Sequence, residues 1–477
     1  MTAAESATPA NILLICVDQW RGDCLSVEDH PAVLTPYLDG WSSTGARFTR
    51  AYSAVPICIP ARAALFTGLS QRTHGFVSYR EGEPWDFDVT MAGELTKAGY
   101  QTQAIGKMHV YPERAKMGFE EVLLHDGYLR KPRGENLNDL GKIDDYVPWL
   151  REHSRPEADY AEHGLNCNSY VARPWDKPEH LHPTNWAVAQ GVEFLQRRDT
   201  SRPFFLYLSL HRPHPPYDPP AWAMDMYLDG DLPEPPVGDW TNLWADREVP
   251  NDPKSSYVAN LDPRLQRRAQ AGYYGHMTHI DTQLNRLFET LAELGLKDST
   301  YILFTSDHGE LMGDHHLFRK SLPYEGSARV PFLLTGPRVP EGDVNTTEVV
   351  ELRDVMPTVL DCAGVPVPAG VEGRSVLGLL EGSDTEWRPW LQGENVTFGQ
   401  SVQWLTDGRE KYVWCSGTGV EQLFDLVKDP QECHDLAGDP AAAPALRRWR
   451  ERLVRELDGR PEGFVKDDDL VPGRPVR

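Results

Sequence analysis

The sequence predicts an α/β fold: a large, mostly parallel or mixed central sheet flanked by helices, with a small α+β C-terminal subdomain containing an antiparallel sheet. Short apolar runs of strand length alternate with amphipathic helical segments over most of the chain, the pattern of a sheet covered by helices. The strongest of these runs end in residues capable of chemistry, as the ligand-binding edge of an open α/β sheet requires. Near Glu381 to Trp387 the pattern changes to consecutive strands and turns.

The elements follow in order. "NILLICVD" (Asn11 to Asp18) reads as a buried strand, "YQTQAIG" ending at Gly106 as a second, and "PFFLYLSL" (Pro203 to Leu210) as a third. "TYILFTSD" (Thr300 to Asp307) makes a fourth and "RVPFLLTGP" (Arg329 to Pro337) a fifth. Helical spacing marks Thr184 to Arg198 through Trp186, Ala189, Val192 and Leu195. A longer helix spans about Leu265 to Leu294, with Tyr273, Met277, Ile280, Leu284, Leu287, Phe288, Leu291 and Leu294 as its buried stripe and Gly295 closing it. His125 to Pro183 and Pro215 to Pro263 are polar, Pro-rich and weakly periodic, and read as irregular loops that cover a site or face solvent. "TFGQSVQWLTDGREKYVWCSGTGVEQLFDL" reads as an antiparallel sheet, and residues 441–457 as a charged helix before a tail. These divisions predict a catalytic α/β domain over 1–385, with an irregular insertion at about 125–183, and a C-terminal subdomain over 386–477.

Bulk composition bounds the function. The chain has 477 residues, 40% of them apolar, with a mean hydropathy of -0.49. That is the composition of a soluble globular protein. The net charge of -23 repels nucleic acid and anionic membranes, although a local basic pocket can still bind a small anion. No run approaches the length of a membrane span, and the N-terminus lacks the features of a secretory signal. Seven widely spaced cysteines with no CxxC pair argue against a disulfide framework or a zinc site. A cytoplasmic protein is the expectation. The oligomeric state is open, with a sheet edge in the appended subdomain offering one route to a dimer.

The strand ends supply Asp18 and Gln19, then Lys107 and His109 in "GKMH", His211 and His214 in "HRPHPP", and Asp307 and His308. Asp18, Asp307 and His308, with Gln19 as a neutral oxygen donor, form a plausible hard-metal set. Arg62, Lys107, His109, His214 and Lys320 would surround it with positive charge and donors, an arrangement suited to a tetrahedral oxyanion. In "VPICIPARAALFTG", Pro60 suits the first turn of a helix, which places Cys58 just before the helix N-terminus. A thiol there could be an activated nucleophile or a buried core group.

"CIPAR" followed by "AALFTG" resembles the signature of type I sulfatases, in the alkaline phosphatase superfamily. "NILLICVDQWRGD", "GKMH", "SLHRPHPP", "SDHGELMGDHHLFRK" with "YEGSARVPFLL", and "EQLFDLVKDPQECHDLA" resemble further segments of that family in the same order. The resemblance implies that Cys58 is oxidised by a formylglycine-generating enzyme to formylglycine (3-oxoalanine), whose hydrate is the nucleophile. It implies one divalent metal, Ca²⁺ in preference to Mn²⁺, held by Asp18, Gln19, Asp307, His308 and the modified Cys58. Arg62 and Lys107 would hold the aldehyde hydrate, His109 would take a proton from its second hydroxyl, and His214 and Lys320 would assist the leaving alcohol. The substrate implied is a small aryl or carbohydrate sulfate ester.

The family often has two successive aspartates where this chain has Asp18-Gln19, and Asn where it has His308. Phosphonate monoester hydrolases, relatives that use the same modified cysteine, resemble the chain at both positions and form the alternative. The Gly-Lys-x-His element at 106–109 favours the sulfatase. A catalytically inactive binding protein on the same fold is a distant alternative, since no active-site group is missing. Trp149, Tyr160, His163, Trp175 and His180 in the insertion could line a sugar or aryl site, or pack locally.

Overall fold

Asn11–Asp18 forms the central strand, β1. Successive side chains of a strand point to opposite faces. Leu13, Ile15 and Val17 accordingly enter one apolar cluster, and Ile12, Leu14 and Cys16 another. Burial on both faces is why this run is continuously apolar rather than alternating. The computed structural model describes residues 9–127, 143–249, 252–253, 256–345, 347–383 and 386–476.

In chain order the other elements that place the site are α1 (Pro36–Ser42), β2 (Ala46–Phe48), α2 (Cys58–Thr67), β3 (Gln101–Gly106), β4 (Glu121–Leu124), α3 (Pro183–Arg197), β5 (Phe204–Pro213), α4 (Pro263–Glu293), β6 (Thr300–Ser306), β7 (Phe332–Thr335) and β8 (Asp343–Asn345). They build an eight-stranded sheet in the order β4-β3-β5-β1-β6-β7-β2-β8. The strands β4, β3, β5, β1 and β6 are parallel; β7 runs antiparallel to both β6 and β2. Helices α3 and α4 cover one face and α2 the other. This is the α/β class the sequence predicts.

The differences from expectation are local. The third strand continues past Leu210 to Pro213, so His211 lies on it. The fifth is shortened to Phe332–Thr335, preceded by Pro331, which has no N–H to give a ladder. In α4 the predicted stripe is buried except that Phe288 is only half-buried and Leu294, beyond the last turn, is exposed. Both irregular stretches contain structure: a helix at Tyr146–His153 in the first, and a helix at Ala221–Leu228 with a 3₁₀ turn at Thr241–Arg247 in the second. Residues 128–142 of the insertion lie outside the described residues. Four of the five aromatic residues suggested there as a substrate wall pack against the protein. Tyr160 and Trp175 are core, Trp149 stacks on Tyr146, and His163 bonds Asp218 at 2.9 Å, while His180 is exposed.

Beyond residue 386, β9 (Leu391–Thr397), β10 (Gln400–Thr406), β11 (Glu410–Cys415) and β12 (Glu421–Asp425) form an antiparallel meander. Helix α5 (Ala443–Leu457) seals one face with Trp449, Leu453 and Leu457. The opposite face packs on the main body, where Val402, Trp404, Val413 and Phe424 meet Tyr52, Trp244 and Tyr324. Among the described residues no helix is long and apolar enough to cross a membrane.

Candidate active site

The site forms where the parallel strands end. The register between β1 and β5 slips after Val17, so that Asp18 faces Pro213, and the Asp18 carbonyl accepts the His214 N–H at 3.1 Å. Asp307 and His308 follow β6, alongside Asp18. Gly106 ends β3 with φ 97°, and a Cβ there would lie 1.9 Å from the Ser209 carbonyl oxygen. Only glycine fits that backbone and that approach, which explains the Gly before Lys107.

Cys58 is the first residue of α2 rather than the residue before it. One ligand atom each from Asp18, Cys58, Asp307 and His308 lies within 4.8 Å of all the others, and all four residues are buried. The Cys58 Sγ is 3.2 Å from His308 Nε2, 3.6 Å from Lys107 Nζ and 3.9 Å from Asp18 Oδ1. Lys107 forms an ion pair with Asp18. Arg62 binds Asp307 through Nε at 2.8 Å, and its Nη1 donates to the Lys107 carbonyl, Tyr207 and Ser209. Its Nη2 is buried with no hydrogen-bond partner among the described residues.

On the far side of Asp18, Lys320 donates to Gln19 Oε1 at 2.5 Å and to His214 Nε2 at 2.8 Å. The His214 Nδ1 donates to the Pro215 carbonyl at 2.8 Å, which fixes the tautomer that lets Nε2 accept. His211 lies on the same side, its ring 5.1 Å from that of His214. His109 stands two residues beyond Lys107 with φ 56°, in a turn whose Met108 and His109 N–H groups donate to Asp126.

Charge sets the protonation states. Burial opposes ionisation of Asp18, but Lys107, His214, His308 and Lys320 outweigh it and hold the carboxyl well below its usual range. Burial and Asp18 oppose the Cys58 thiolate; Lys107, Lys320 and His308 outweigh them and lower the thiol. Burial, aided by Lys320, holds His214 well below the usual imidazole range, so it is neutral.

The donor set fits a hard divalent cation. The His308 Nδ1 donates to the Gly309 carbonyl at 2.9 Å, leaving the Nε2 lone pair 3.5 Å from Asp18 Oδ1 and 3.7 Å from Asp307 Oδ1. Two carboxylates and one imidazole nitrogen converging in a buried space are the donor types that a hard divalent cation takes. Gln19 is placed differently from the other predicted ligands, its Oε1 engaged by Lys320 and its amide nitrogen by Glu310. A separate trio, His182, His276 and His279, is also buried. There the His182 Nδ1 accepts the Thr184 N–H, which puts its proton on Nε2 and makes it a poor metal ligand.

Sequence reasoning missed four supporting residues: Tyr207 and Ser209, which hold Arg62; Glu310, which holds Gln19; and Asp126. Tyr207 and Ser209 share a face of β5 by period-two spacing, and that was the available signal.

The chain is similar to known proteins along most of its length. A family model described as Sulfatase matches residues 10–365, and one described as N-sulphoglucosamine sulphohydrolase, C-terminal, matches 313–458. An arylsulfatase of Clostridium perfringens is 46% identical over 473 residues, covering 98% of each chain. A choline-sulfatase of Rhizobium meliloti is 32% identical, covering 90% of this chain and 83% of its own. The crystal structure of a phosphonate monoester hydrolase of Agrobacterium radiobacter has a TM-score of 0.80 at 25% identity, over 98% of this chain and all of the other.

Proposed function

The chain belongs to the sulfatase family, and from that premise we propose that it hydrolyses a small sulfate monoester, aryl or carbohydrate, through a formylglycine made from Cys58 by a formylglycine-generating enzyme. The observation that carries this reading is the buried convergence of Asp18, Cys58, Asp307 and His308, with Lys107 3.6 Å from the Cys58 sulfur. Residues 1–385 would form the catalytic unit and 386–477 the appended one.

Asp18, Asp307 and His308 Nε2 would hold a divalent cation, Ca²⁺ in preference to Mn²⁺, with Gln19 joining if Lys320 releases its oxygen. When bound, that ion would supply Lewis acidity to the sulfate oxygens and to the attacking hydroxyl. One hydroxyl of the hydrated aldehyde at position 58 attacks sulfur as its alkoxide, its proton having passed to water, and the S–O bond to the alcohol breaks. The Lys320–His214 pair holds the proton that the departing alkoxide takes. His109 then removes the proton of the second hydroxyl. The aldehyde re-forms as its C–O bond to sulfate breaks, releasing inorganic sulfate, and water restores the hydrate. Arg62 and Lys107 balance charge on the nucleophile throughout. A serine hydroxyl lacks the second oxygen needed for that release.

A phosphonate monoester hydrolase is the second reading, favoured by the neutral Gln19 and by the structural likeness to that enzyme. The test is the mass of the tryptic peptide Ala51 to Arg62, from protein made with the modifying enzyme, paired with turnover of 4-nitrophenyl sulfate and 4-nitrophenyl phenylphosphonate. Aldehyde in place of thiol, with the sulfate ester preferred, is expected. An intact thiol would refute the nucleophile, and preference for the phosphonate would favour the second reading. Cys58→Ala should abolish turnover and leave the melting temperature within a few degrees of wild type.

A further inference from the structure

The cations at the centre of the site are engaged. Lys107 pairs with Asp18, Arg62 with Asp307, and Lys320 bonds Gln19 and His214. Arg319, the residue before Lys320, differs. It is half-buried, and its guanidinium lies 4.1 Å from the centroid of the Tyr257 ring. Among the described residues its buried Nε has no hydrogen-bond partner and no carboxylate pairs with it. A half-buried arginine ordinarily finds an anion, because desolvating its charge is costly otherwise.

The position is held firmly. Arg319 has φ 67°, its N–H donates to Glu310, and its carbonyl accepts the Leu311 N–H at 2.8 Å. Left-handed backbone at a non-glycine residue persists only where its surroundings enforce it. Glu310 also receives Gln19 and Tyr217, so one carboxylate fixes both Arg319 and the glutamine that meets Lys320. The surrounding walls come from three parts of the chain. Phe318 packs on Tyr170 of the insertion at 5.5 Å, and Tyr257 packs edge-on to Phe398 of the β9–β10 hairpin at 5.4 Å.

Resting on the sulfatase reading, we propose that Arg319 is a specificity-determining residue that binds a second oxyanion, a carboxylate or a further sulfate, on the alcohol part of the substrate. A guanidinium held 4.1 Å over an aromatic ring keeps a planar fork of donors that matches a carboxylate or sulfate. The net charge of -23 disfavours the approach of a substrate with two anionic groups, which a local cation would offset. The central cations grip the ester being cleaved, and Arg319 selects what is attached to it.

The experiment compares phenyl sulfate with 3-carboxyphenyl sulfate, whose phenols have nearly equal acidity, so that the chemistry is matched and only the second anion differs. Sulfate release gives kcat/KM for each. Wild type should prefer the carboxylated ester by about tenfold or more. In Arg319→Met the ratio should fall to near one, and in Arg319→Lys to a value between. The ratio is internal to each preparation, so a loss of folded protein cannot mimic the result. A wild-type ratio near one, or a ratio unchanged in Arg319→Met, would overturn the assignment and leave the sulfatase reading intact. No turnover of either ester by protein shown to carry the aldehyde would overturn both.

Discussion

His214 shows how a single side chain is given its role. Its Nδ1 is committed to the Pro215 carbonyl, and its Nε2 meets the Lys320 ammonium at 2.8 Å. Burial and that ammonium keep the imidazole neutral, so the proton for the leaving alkoxide belongs to the pair rather than to either residue. Removing the imidazole should therefore matter in proportion to the basicity of the alcohol. His214→Asn is expected to slow hydrolysis of alkyl or unsubstituted phenyl sulfates by about 10²- to 10⁴-fold, the usual worth of positioned proton transfer, and 4-nitrophenyl sulfate by much less. A plot of log kcat against leaving-group pKa would show it as a steeper slope. Parallel lines would mean that His214 only packs. Asp18, Cys58, Asp307 and His308 could be proposed from the sequence because each lies at a strand end or a helix start. Glu310 could not, because its partners Gln19, Tyr217 and the Met312 and Arg319 N–H groups come together only through loop geometry.

Among the elements, the end of β3 is the most exacting. Gly106 turns at φ 97° with the Ser209 carbonyl directly where a Cβ would stand, and Lys107 N–H donates to that same oxygen at 3.0 Å. The glycine thus lets β3 stay close to β5 while Lys107 swings toward Asp18 and Cys58. Gly106→Ala should cost about 2 kcal/mol or more of stability through strain and forced separation of the strands. Its kcat should fall further than its melting temperature explains, because Lys107 moves; thermal melts read beside activity at a temperature where the variant is folded would separate the two. Strands such as β1, β5 and β6 were legible because burial on both faces leaves uninterrupted apolar runs. The fifth predicted strand was overextended because periodicity does not register the missing N–H of Pro331. The helix at Tyr146–His153 was missed because only Tyr146, Val147 and Leu150 are buried there, too short a stripe to stand out among polar neighbours.

At the scale of the whole molecule, the C-terminal sheet braces the loop that carries Lys320. Asn395 on β9 donates to the Ser321 carbonyl at 2.9 Å, and Tyr324 donates to Gln422 on β12 at 2.8 Å. The strongest link is Lys411 on β11, fully buried, which meets the Pro323 carbonyl, Glu325 and Glu432 at 2.7 to 2.8 Å. Glu432 is pushed up to about 7, by burial first and by Glu325 as well, with Lys411 pulling the other way. Lys411→Met would leave the buried Glu432 and the half-buried Glu325 without the cation between them, a loss on the order of 3 kcal/mol. The loss should depend on pH in a definite direction. A glutamate whose folded pKa lies above its unfolded value binds more protons folded than unfolded, so stability falls as pH rises through that interval. In wild type Glu432 imposes this fall up to about pH 7. Without Lys411 the folded pKa climbs further, and the fall continues to higher pH. Urea unfolding of both proteins at pH 6 and pH 8 should give a larger difference at pH 8, accompanied there by a drop in kcat as the Lys320 loop loosens. An equal difference at both pH values would mean that the carboxylates find another partner, and an unchanged kcat would mean that the sheet stabilises the body without positioning Lys320.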